Sequence, residues 1–246
     1  MTTIAVDRVG GRHVVRLTQG LLRPQVVAAT AERCRIGLLA TTALLLGGDV
    51  VEVEVRVGAG ARLDLFDVAG TVTYHGRGEP SAWHVRLELA AGARLSYAGE
   101  PFVVSDGADV ERTLRVDLEP DAAAVVRDTV VLGRTGQTGG RLRSFTTVSR
   151  GGRPVLLEDQ RLDPGRLRSG PGLLGPHRVL DTVAWLGAAP TPRTPTAATT
   201  YALVDGAGTI ARWLGSGLAD SPLHGVDLHG VRQDVVVGGQ STASSR

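Results

Sequence analysis

Apolar and polar residues alternate with a period of two along several stretches of the chain. In residues 51–57, valines at the odd positions alternate with charged residues, and residues 83–89 and 114–118 repeat this arrangement. Such alternation predicts β-strands that bury one face and expose the other. The stretches are punctuated by 33 glycines and 12 prolines, which is typical of an all-β chain of many short strands.

The sequence also repeats itself. Residues 53–63 (VEVRVGAGARL) resemble residues 85–95 (VRLELAAGARL) at an offset of 32, and a weaker third copy begins at Leu114, 29 residues after Val85. Each copy consists of a strand, a tight turn and a second strand. Repeats of this length are typical of stacked β units that share one core. We therefore predict an all-β fold with one or two short helices, built as a stacked β-hairpin or β-helical solenoid.

Helix signals are few. Residues 25–33 have a composition that permits a helix but show no clear apolar face, and Val26 and Val27 would suit a strand equally well. Near the C-terminus, Ser221 and Pro222 form a favourable pair for the N-cap and the first helical position, which predicts a short helix there.

The length allows one large domain or two small ones. The chain has 246 residues, and its 42% apolar content is enough for a sizeable core. A Pro-rich stretch at residues 190–195 predicts a loop or short linker. We predict a single β domain over residues 1–237, followed by a disordered Gly/Ser-rich tail over residues 238–246.

Charge and composition exclude several classes of function. All 27 basic residues are arginines, so an enzyme that uses a Schiff-base lysine or a Walker-type phosphate loop is excluded. No basic stripe with interleaved aromatic residues is present, which argues against nucleic-acid binding. The single cysteine, Cys34, excludes an intrachain disulfide and a cysteine-cluster metal site. Without a long apolar run or a signal peptide, we expect a cytoplasmic protein that does not bind membranes.

Candidate catalytic groups lack the partners that they would need. His224 and His229 are five residues apart, which does not align two metal ligands on one helical face. Ser216 lies between two glycines but outside a Gly-x-Ser-x-Gly motif. Carboxylates at predicted strand ends have no defined partner spacing. We therefore predict that the chain is not an enzyme.

Several short motifs, taken in order, resemble one family. Residues 44–49 (LLLGGD) precede an alternating strand and a Gly-Ala-Gly-Ala-Arg turn, and residues 99–104 (GEPFVV) follow. Residues 132–134 (LGR) and 152–156 (GRPVL) come next. Over roughly residues 10–235, these motifs resemble the UreD family of urease accessory proteins, also called UreH.

The chain departs from that family's pattern at two places. Residues 69–75 contain no Lys, where the family usually carries one, and Gly140 stands where the family typically has Glu. The chain therefore resembles a divergent member.

The resemblance implies a mostly β, helically stacked scaffold that is not an enzyme. It implies a UreF-like accessory protein as a direct partner and, through it, a UreG-like GTPase and apo-urease. It also implies a metallochaperone with no permanent cofactor and no fixed metal site, through whose polar interior nickel passes in transit. Because nickel accepts carboxylate and water as transient ligands, we predict Asp49, Glu100 and Asp106 as residues of the nickel path.

Two alternatives from other classes remain at the level of sequence. The chain could be a stand-alone β-sandwich or β-solenoid module that binds a carbohydrate or small ligand, with a pocket lined by Trp83, Trp185 or Trp213. It could also be a β-solenoid hydrolase that uses a pair of carboxylates across an open cleft.

Overall fold

The computed structural model describes residues 1–164, 174–189, 195–226 and 228. Short 3-10 helices lie at Val204–Gly206 and Leu218–Asp220. The strands are β1 (Thr2–Val9), β2 (Arg12–Thr18), β3 (Leu22–Ala29), β4 (Cys34–Ala40), β5 (Val50–Val57), β6 (Arg62–Asp67), β7 (Thr71–Thr73), β8 (Ser81–Leu89), β9 (Arg94–Ala98), β10 (Phe102–Val104), β11 (Asp109–Leu118), β12 (Ala123–Leu132), β13 (Arg141–Arg150), β14 (Arg153–Leu162), β15 (Val179–Gly187), β16 (Thr199–Ala202) and β17 (Gly208–Gly215).

Two long sheets share the core, and the chain passes from one to the other and back. The first has the order β14-β13-β11-β8-β5-β1-β2, and the second has the order β16-β17-β15-β12-β9-β6-β4-β3. The short strands β7 and β10 pair in parallel with each other, and β10 also pairs with β12. Successive strands in the central part of both sheets are parallel, so this region winds as a β-solenoid of about 4 turns. The prediction of an all-β solenoid is confirmed.

The sequence repeat is the structural repeat. Val53 of β5 pairs with Val85 of β8, and Val85 pairs in turn with Leu114 of β11. These are the offsets of 32 and 29 residues by which the sequence resembles itself. One repeat therefore corresponds to one turn of the solenoid.

The shared Gly-Ala-Arg-Leu motif forms the corner between the two sheets. Gly60 and Gly92 have φ values of +63° and +66°, in the left-handed region that favours glycine. The next residues, Ala61 and Ala93, are completely buried. A larger side chain would not fit inside this corner without displacing the core, which explains why the motif recurs more closely than a simple hairpin requires.

The alternation of side chains works as predicted. All four odd-numbered valines of β5 are buried, and so are the inward residues of β8, beginning with Trp83. Parallel stacking repeats these inward positions in each turn, so one continuous apolar core runs along the solenoid.

Antiparallel strands complete the second sheet at its C-terminal end. Strand β15 pairs with β12 and β17, and β16 pairs with β17. The outer face of these strands is covered by a separate apolar cluster in which Leu223 is fully buried. The C-terminal segment that carries Leu223 therefore packs against the outside of the sheet.

Two local predictions differ from what forms. Residues 25–29, for which a helix was one option, belong to strand β3. The predicted helix at Ser221 is wrong for the described residues up to 226, where the chain forms turns instead. The Ser221 hydroxyl accepts the backbone N–H of Leu223 and so starts a turn, and it also donates a hydrogen bond of 2.5 Å to Asp181, which ties the chain to the sheet.

Other predictions fall on undescribed parts of the chain. The tail at residues 238–246 and most of the linker at residues 190–195 lie outside the described residues. In the part of the chain that the structure describes, no helix combines the length and apolar character needed to cross a membrane.

Candidate functional site: a polar layer inside the solenoid

An arginine interrupts the apolar inner face of strand β11. The inward positions of this strand carry Val110, Leu114 and Val116, but Arg112 occupies the position between the first two. In the stacked register, Arg112 lies beside Trp83 of β8 and Ser144 of β13. Its side chain is only 14% exposed, so a guanidinium group lies within the solenoid.

The guanidinium of Arg112 has one acidic and one aromatic partner. It donates to both carboxylate oxygens of Asp128 on β12, at 2.7 and 3.5 Å. It also lies over the ring of Phe102, 4.3 Å from the ring centroid, in a cation–π arrangement. Phe102 itself meets Trp83 edge to face. The Nε atom of Arg112 is buried and makes no hydrogen bond to the described residues.

A second carboxylate lies at the end of β6, close to this arginine. The Tyr97 hydroxyl donates to Asp67 at 3.3 Å, and the backbone N–H of Glu100 donates to it at 3.2 Å. Burial raises the pKa of the Asp67 carboxyl from 3.8 to about 7, although these two donors and the charge of Arg112 act in the opposite direction. The Asp67 carboxyl therefore titrates near neutral pH.

These side chains surround a small polar cavity. It has a volume of about 40 Å³, which is room for only a few water molecules. A wider groove of about 330 Å³, lined largely by apolar residues, shares Asp67, Thr71 and Trp83 with it. Asp67 thus stands where a surface groove meets the interior cavity. The polar residues at the small cavity are Asp67, Thr71, Tyr97, Glu100, Arg112, Thr113, Arg127, Asp128, Ser144 and Thr146. The side chain of Arg127 points away from the cavity, to Asp181.

Polar residues continue beyond Asp128 across the second sheet. Asp128 pairs in register with Thr182, and Thr182 pairs with Arg212 of β17. Arg212 donates to Thr182 at 3.2 Å and to both carboxylate oxygens of Glu158 at 2.7 and 2.9 Å. Its guanidinium also lies 5.7 Å from the ring centroid of Tyr201. We call the set Asp67, Tyr97, Glu100, Arg112, Asp128, Thr182, Glu158 and Arg212 the interior polar layer.

The chemistry of the interior polar layer suits weak and transient binding of a cation. It holds four carboxylates and only two arginines, and its remaining side-chain donors are the hydroxyl groups of Tyr97 and Thr182. Oxygen ligands hold divalent transition metals less firmly than imidazole or thiolate groups do. Among the described residues, no three His, Cys, Asp or Glu side chains gather in a way that could hold a metal ion.

The three carboxylates predicted from the sequence lie in different surroundings. Glu100 lines the small cavity next to Asp67. Asp49 accepts a hydrogen bond of 2.9 Å from the backbone N–H of Leu46, and so closes its own turn. Asp106 accepts hydrogen bonds from two backbone N–H groups of the loop before β13, at 2.9 and 2.6 Å. The structure therefore brings Glu100, but neither of the other two, to the interior polar layer.

Sequence reasoning did not single out Arg112, Asp67 or Asp128. A signal for Arg112 was present, because it takes an inward position in the alternation of β11. Asp67 and Asp128 are among the carboxylates near predicted strand ends, but nothing in the sequence set them apart from the others, since their proximity depends on a register between strands that are far apart in sequence.

A second buried ion pair anchors the C-terminal segment. Asp181 is fully buried and accepts hydrogen bonds from Arg127, Thr129 and Ser221. Arg127 also contacts His224 at 3.2 Å. This network lies on the outer face of the second sheet and fixes the segment that covers it, so we regard it as structural.

The tryptophans predicted to line a ligand pocket divide between two places. Trp83 lines the small cavity and the groove. Trp185 is buried in the outer apolar cluster, and Trp213 packs against the same cluster.

One family model and three similar proteins indicate the same protein family. A model of the family described as UreD urease accessory protein matches residues 7–223. Urease accessory protein UreD 1 of Streptomyces griseus is 47% identical over 192 residues, which is 77% of this chain and 75% of the relative. Urease accessory protein UreD of Streptomyces avermitilis is 37% identical over 66% of each chain. Urease accessory protein UreD 1 of Saccharopolyspora erythraea is 39% identical over 71% of this chain and 72% of the relative. The chain therefore belongs to the UreD family of urease accessory proteins.

Proposed function

We propose that the chain is a non-enzymatic scaffold and metallochaperone subunit that helps deliver nickel to apo-urease during maturation. The observation that carries this proposal is the interior polar layer, with its cavity, in an otherwise apolar solenoid core. Arg112 is only 14% exposed at an inward position, and burying a charged group lowers stability unless it is fully paired, so an apolar residue would be expected there in a core without such a task. Membership of a family of urease accessory proteins supplies the context.

The residues of the layer suggest how nickel would pass. Asp67 lines both the groove and the small cavity, Glu100 lines the cavity, and both would present carboxylate oxygens to an arriving cation. Asp67 would release its proton as the cation binds, because the pKa of its carboxyl is about 7. Asp128 and Glu158 would offer further oxygen ligands only by exchanging their arginine partners, since Arg112 and Arg212 donate to both oxygens of each carboxylate. Such ligands release nickel readily, which a path requires and a storage site does not.

The proposal includes the partners that the resemblance implies. A UreF-like protein would bind this chain directly, and a UreG-like GTPase and apo-urease would join through the complex. Neither nucleic acid nor a membrane has a part in the proposal, and the cytoplasmic location predicted from the sequence belongs to it. Co-purification of the full chain with each candidate partner tests this part.

Substitution of Glu100 tests the path. We expect Glu100→Gln to lower the nickel content and activity of urease matured in a host that carries this chain as its only UreD protein. Glu119→Gln is the matched control, because Glu119 is exposed in the turn after β11. Equal nickel content for both variants would contradict a path through Glu100. Asp49 and Asp106 remain predicted path residues, and Asp49→Asn and Asp106→Asn in the same host test them.

A further inference from the structure

The arginine of the repeated Gly-Ala-Arg-Leu motif points away from the corner that the glycine and alanine form. Arg62 and Arg94 take the same place in successive turns of the solenoid, and they pair in register on the adjacent parallel strands β6 and β9. The residues on either side of each arginine are fully buried. Because side chains alternate along a strand, both arginines therefore lie on the outer face of the second sheet, where they are partly buried.

A third arginine stands at the same level, one strand further along the solenoid. Arg33 directly precedes β4, which pairs in parallel with the start of β6, so it takes the place next to Arg62. In the other direction, Ala123 of β12 pairs with Arg94 and ends the row. We call Arg33, Arg62 and Arg94 the arginine column.

Carboxylates near the arginine column engage only one of its members. Arg33 forms an ion pair with Asp64 at 3.3 Å. The guanidinium of Arg94 donates to the backbone carbonyl oxygen of Asp121 at 3.0 Å. Among the described residues, neither Arg62 nor Arg94 forms an ion pair with a carboxylate. Two adjacent guanidinium groups are therefore left without a carboxylate partner in the part of the chain that the structure describes.

This arrangement is unfavourable for the isolated chain, because like charges side by side on neighbouring strands repel each other. Burial, and then the charge of Arg62, lower the pKa of the Arg94 guanidinium, although Asp121 acts in the opposite direction. The outer face of the first sheet is arranged differently. There Arg56 of β5 lies in register with Glu88 of β8 and forms an ion pair with it. A repeated pair of like charges that the corner does not need indicates a ligand of opposite charge.

We propose that the arginine column is a docking surface for a partner protein that presents an acidic helix, with carboxylates spaced by one helical turn. Adjacent strands lie about 4.8 Å apart, and side chains at positions i and i+4 of a helix lie about 5–6 Å apart. Successive carboxylates on one face of a helix can therefore meet successive arginines. Arginine suits this task, because its planar guanidinium binds a carboxylate through two N–H groups. The surface is independent of nickel delivery, since it shares no residue with the interior polar layer.

Binding of a labelled peptide to the purified full-length chain tests the docking surface. The probe is an alanine-based helical peptide with glutamates at positions i, i+4 and i+7, and fluorescence anisotropy at low salt measures its affinity. We expect Arg62→Gln combined with Arg94→Gln to weaken binding by about tenfold, because each surface charge pair that is lost lowers affinity a few-fold. Arg56→Gln combined with Arg86→Gln is the matched control, since it removes two arginines from adjacent strands of the first sheet. It should change the affinity by less than about twofold.

A second peptide has glutamates at positions i, i+2 and i+5, which point to different sides of the helix, and it should bind more weakly than the probe. Equal affinity of the two folded double variants for the probe would overturn the docking surface. Tighter binding of an oligothymidylate with the same label would also overturn it, because the ligand would then be a nucleic acid.

If the chain with both Arg62→Gln and Arg94→Gln does not fold, Arg33→Gln decides instead, because the Arg33 side chain is 50% exposed and its replacement disturbs no core residue. Binding of the probe about threefold weaker than that of the wild type supports the docking surface. An unchanged affinity overturns it.

Discussion

Replacing Asp67 by asparagine should change how stability depends on pH. The pKa of this carboxyl is raised from 3.8 to about 7 in the folded chain, mainly because burial disfavours its charged form. A raised pKa means that the folded state binds the proton more tightly than the unfolded state does. The resulting stabilisation is fully present below about pH 4 and is lost as the pH rises through about 7. An asparagine side chain does not titrate, so the Asp67→Asn variant lacks this dependence.

The size of the effect follows from the same pKa. Each pH unit between the folded pKa and a lower pH adds about 1.4 kcal/mol to the stability of the wild type. Between about pH 8 and about pH 5 this corresponds to about 3 kcal/mol. Asp67 retains partial contact with solvent at the groove, which reduces the expected difference to about 2 kcal/mol.

Urea denaturation of both proteins at about pH 5 and about pH 8 measures this difference. The wild type should lose about 2 kcal/mol of unfolding free energy relative to Asp67→Asn on going from the lower to the higher pH. Thr71→Val serves as the control, because it alters the same cavity without changing a titrating group. If the wild type and Asp67→Asn differ in unfolding free energy by the same amount at both pH values, the raised pKa of Asp67 and burial as its cause are refuted.

Three further predictions concern stability, and chemical denaturation checks each of them. Asp181→Ala should lower the free energy of unfolding by about 3–5 kcal/mol, because it leaves Arg127 buried without its carboxylate; a loss below about 1 kcal/mol would contradict the network. Gly140→Ala should cost about 1–3 kcal/mol, since its Cβ would lie 2.3 Å from the Ala108 carbonyl oxygen. Leu157→Ser should change stability by less than about 0.5 kcal/mol, because Leu157 is 70% exposed; a larger loss would show that this side chain is covered.

Much of the fold could be predicted from the sequence, because each turn of a solenoid corresponds to one repeat along the chain. The offset between Val53 and Val85 is visible in the sequence and is also the register of β5 on β8. The alternation of valines with charged residues likewise fixes which face of β5 is buried. The antiparallel strands near the C-terminus do not repeat, so only their general β character could be expected.

The C-terminal segment shows where local signals fail. Ser221 followed by Pro222 is a sound helix start in an isolated peptide, yet the Ser221 hydroxyl bonds Asp181, which is 40 residues away in sequence. The same hydroxyl accepts the N–H of Leu223, as a helix cap would, but the segment is short and carries Gly225, so its turns do not extend into a helix within the described residues.

The candidate site was less predictable for a similar reason. Arg112 and Asp128 lie on consecutive strands in opposite sheets, and Asp67 lies on β6, several strands earlier in the chain, so only the folded register brings the three together. Their positions near predicted strand ends pointed to Asp49 and Asp106. In the fold, Asp49 accepts a backbone N–H within its own turn, and Asp106 accepts backbone N–H groups from a loop that is distant in sequence. The useful signal was that Arg112, a charged residue, takes a position in the alternation of β11 where the neighbouring inward residues are apolar.

The nickel content of urease tests most directly whether this chain helps deliver nickel to apo-urease. Urease should be purified from a urease-positive host without this chain, and from the same host with the chain restored. We predict nickel-poor, inactive urease in the first case, and recovery of both nickel and activity in the second. Fully nickel-loaded, active urease made in the absence of the chain would contradict the proposed role in nickel delivery.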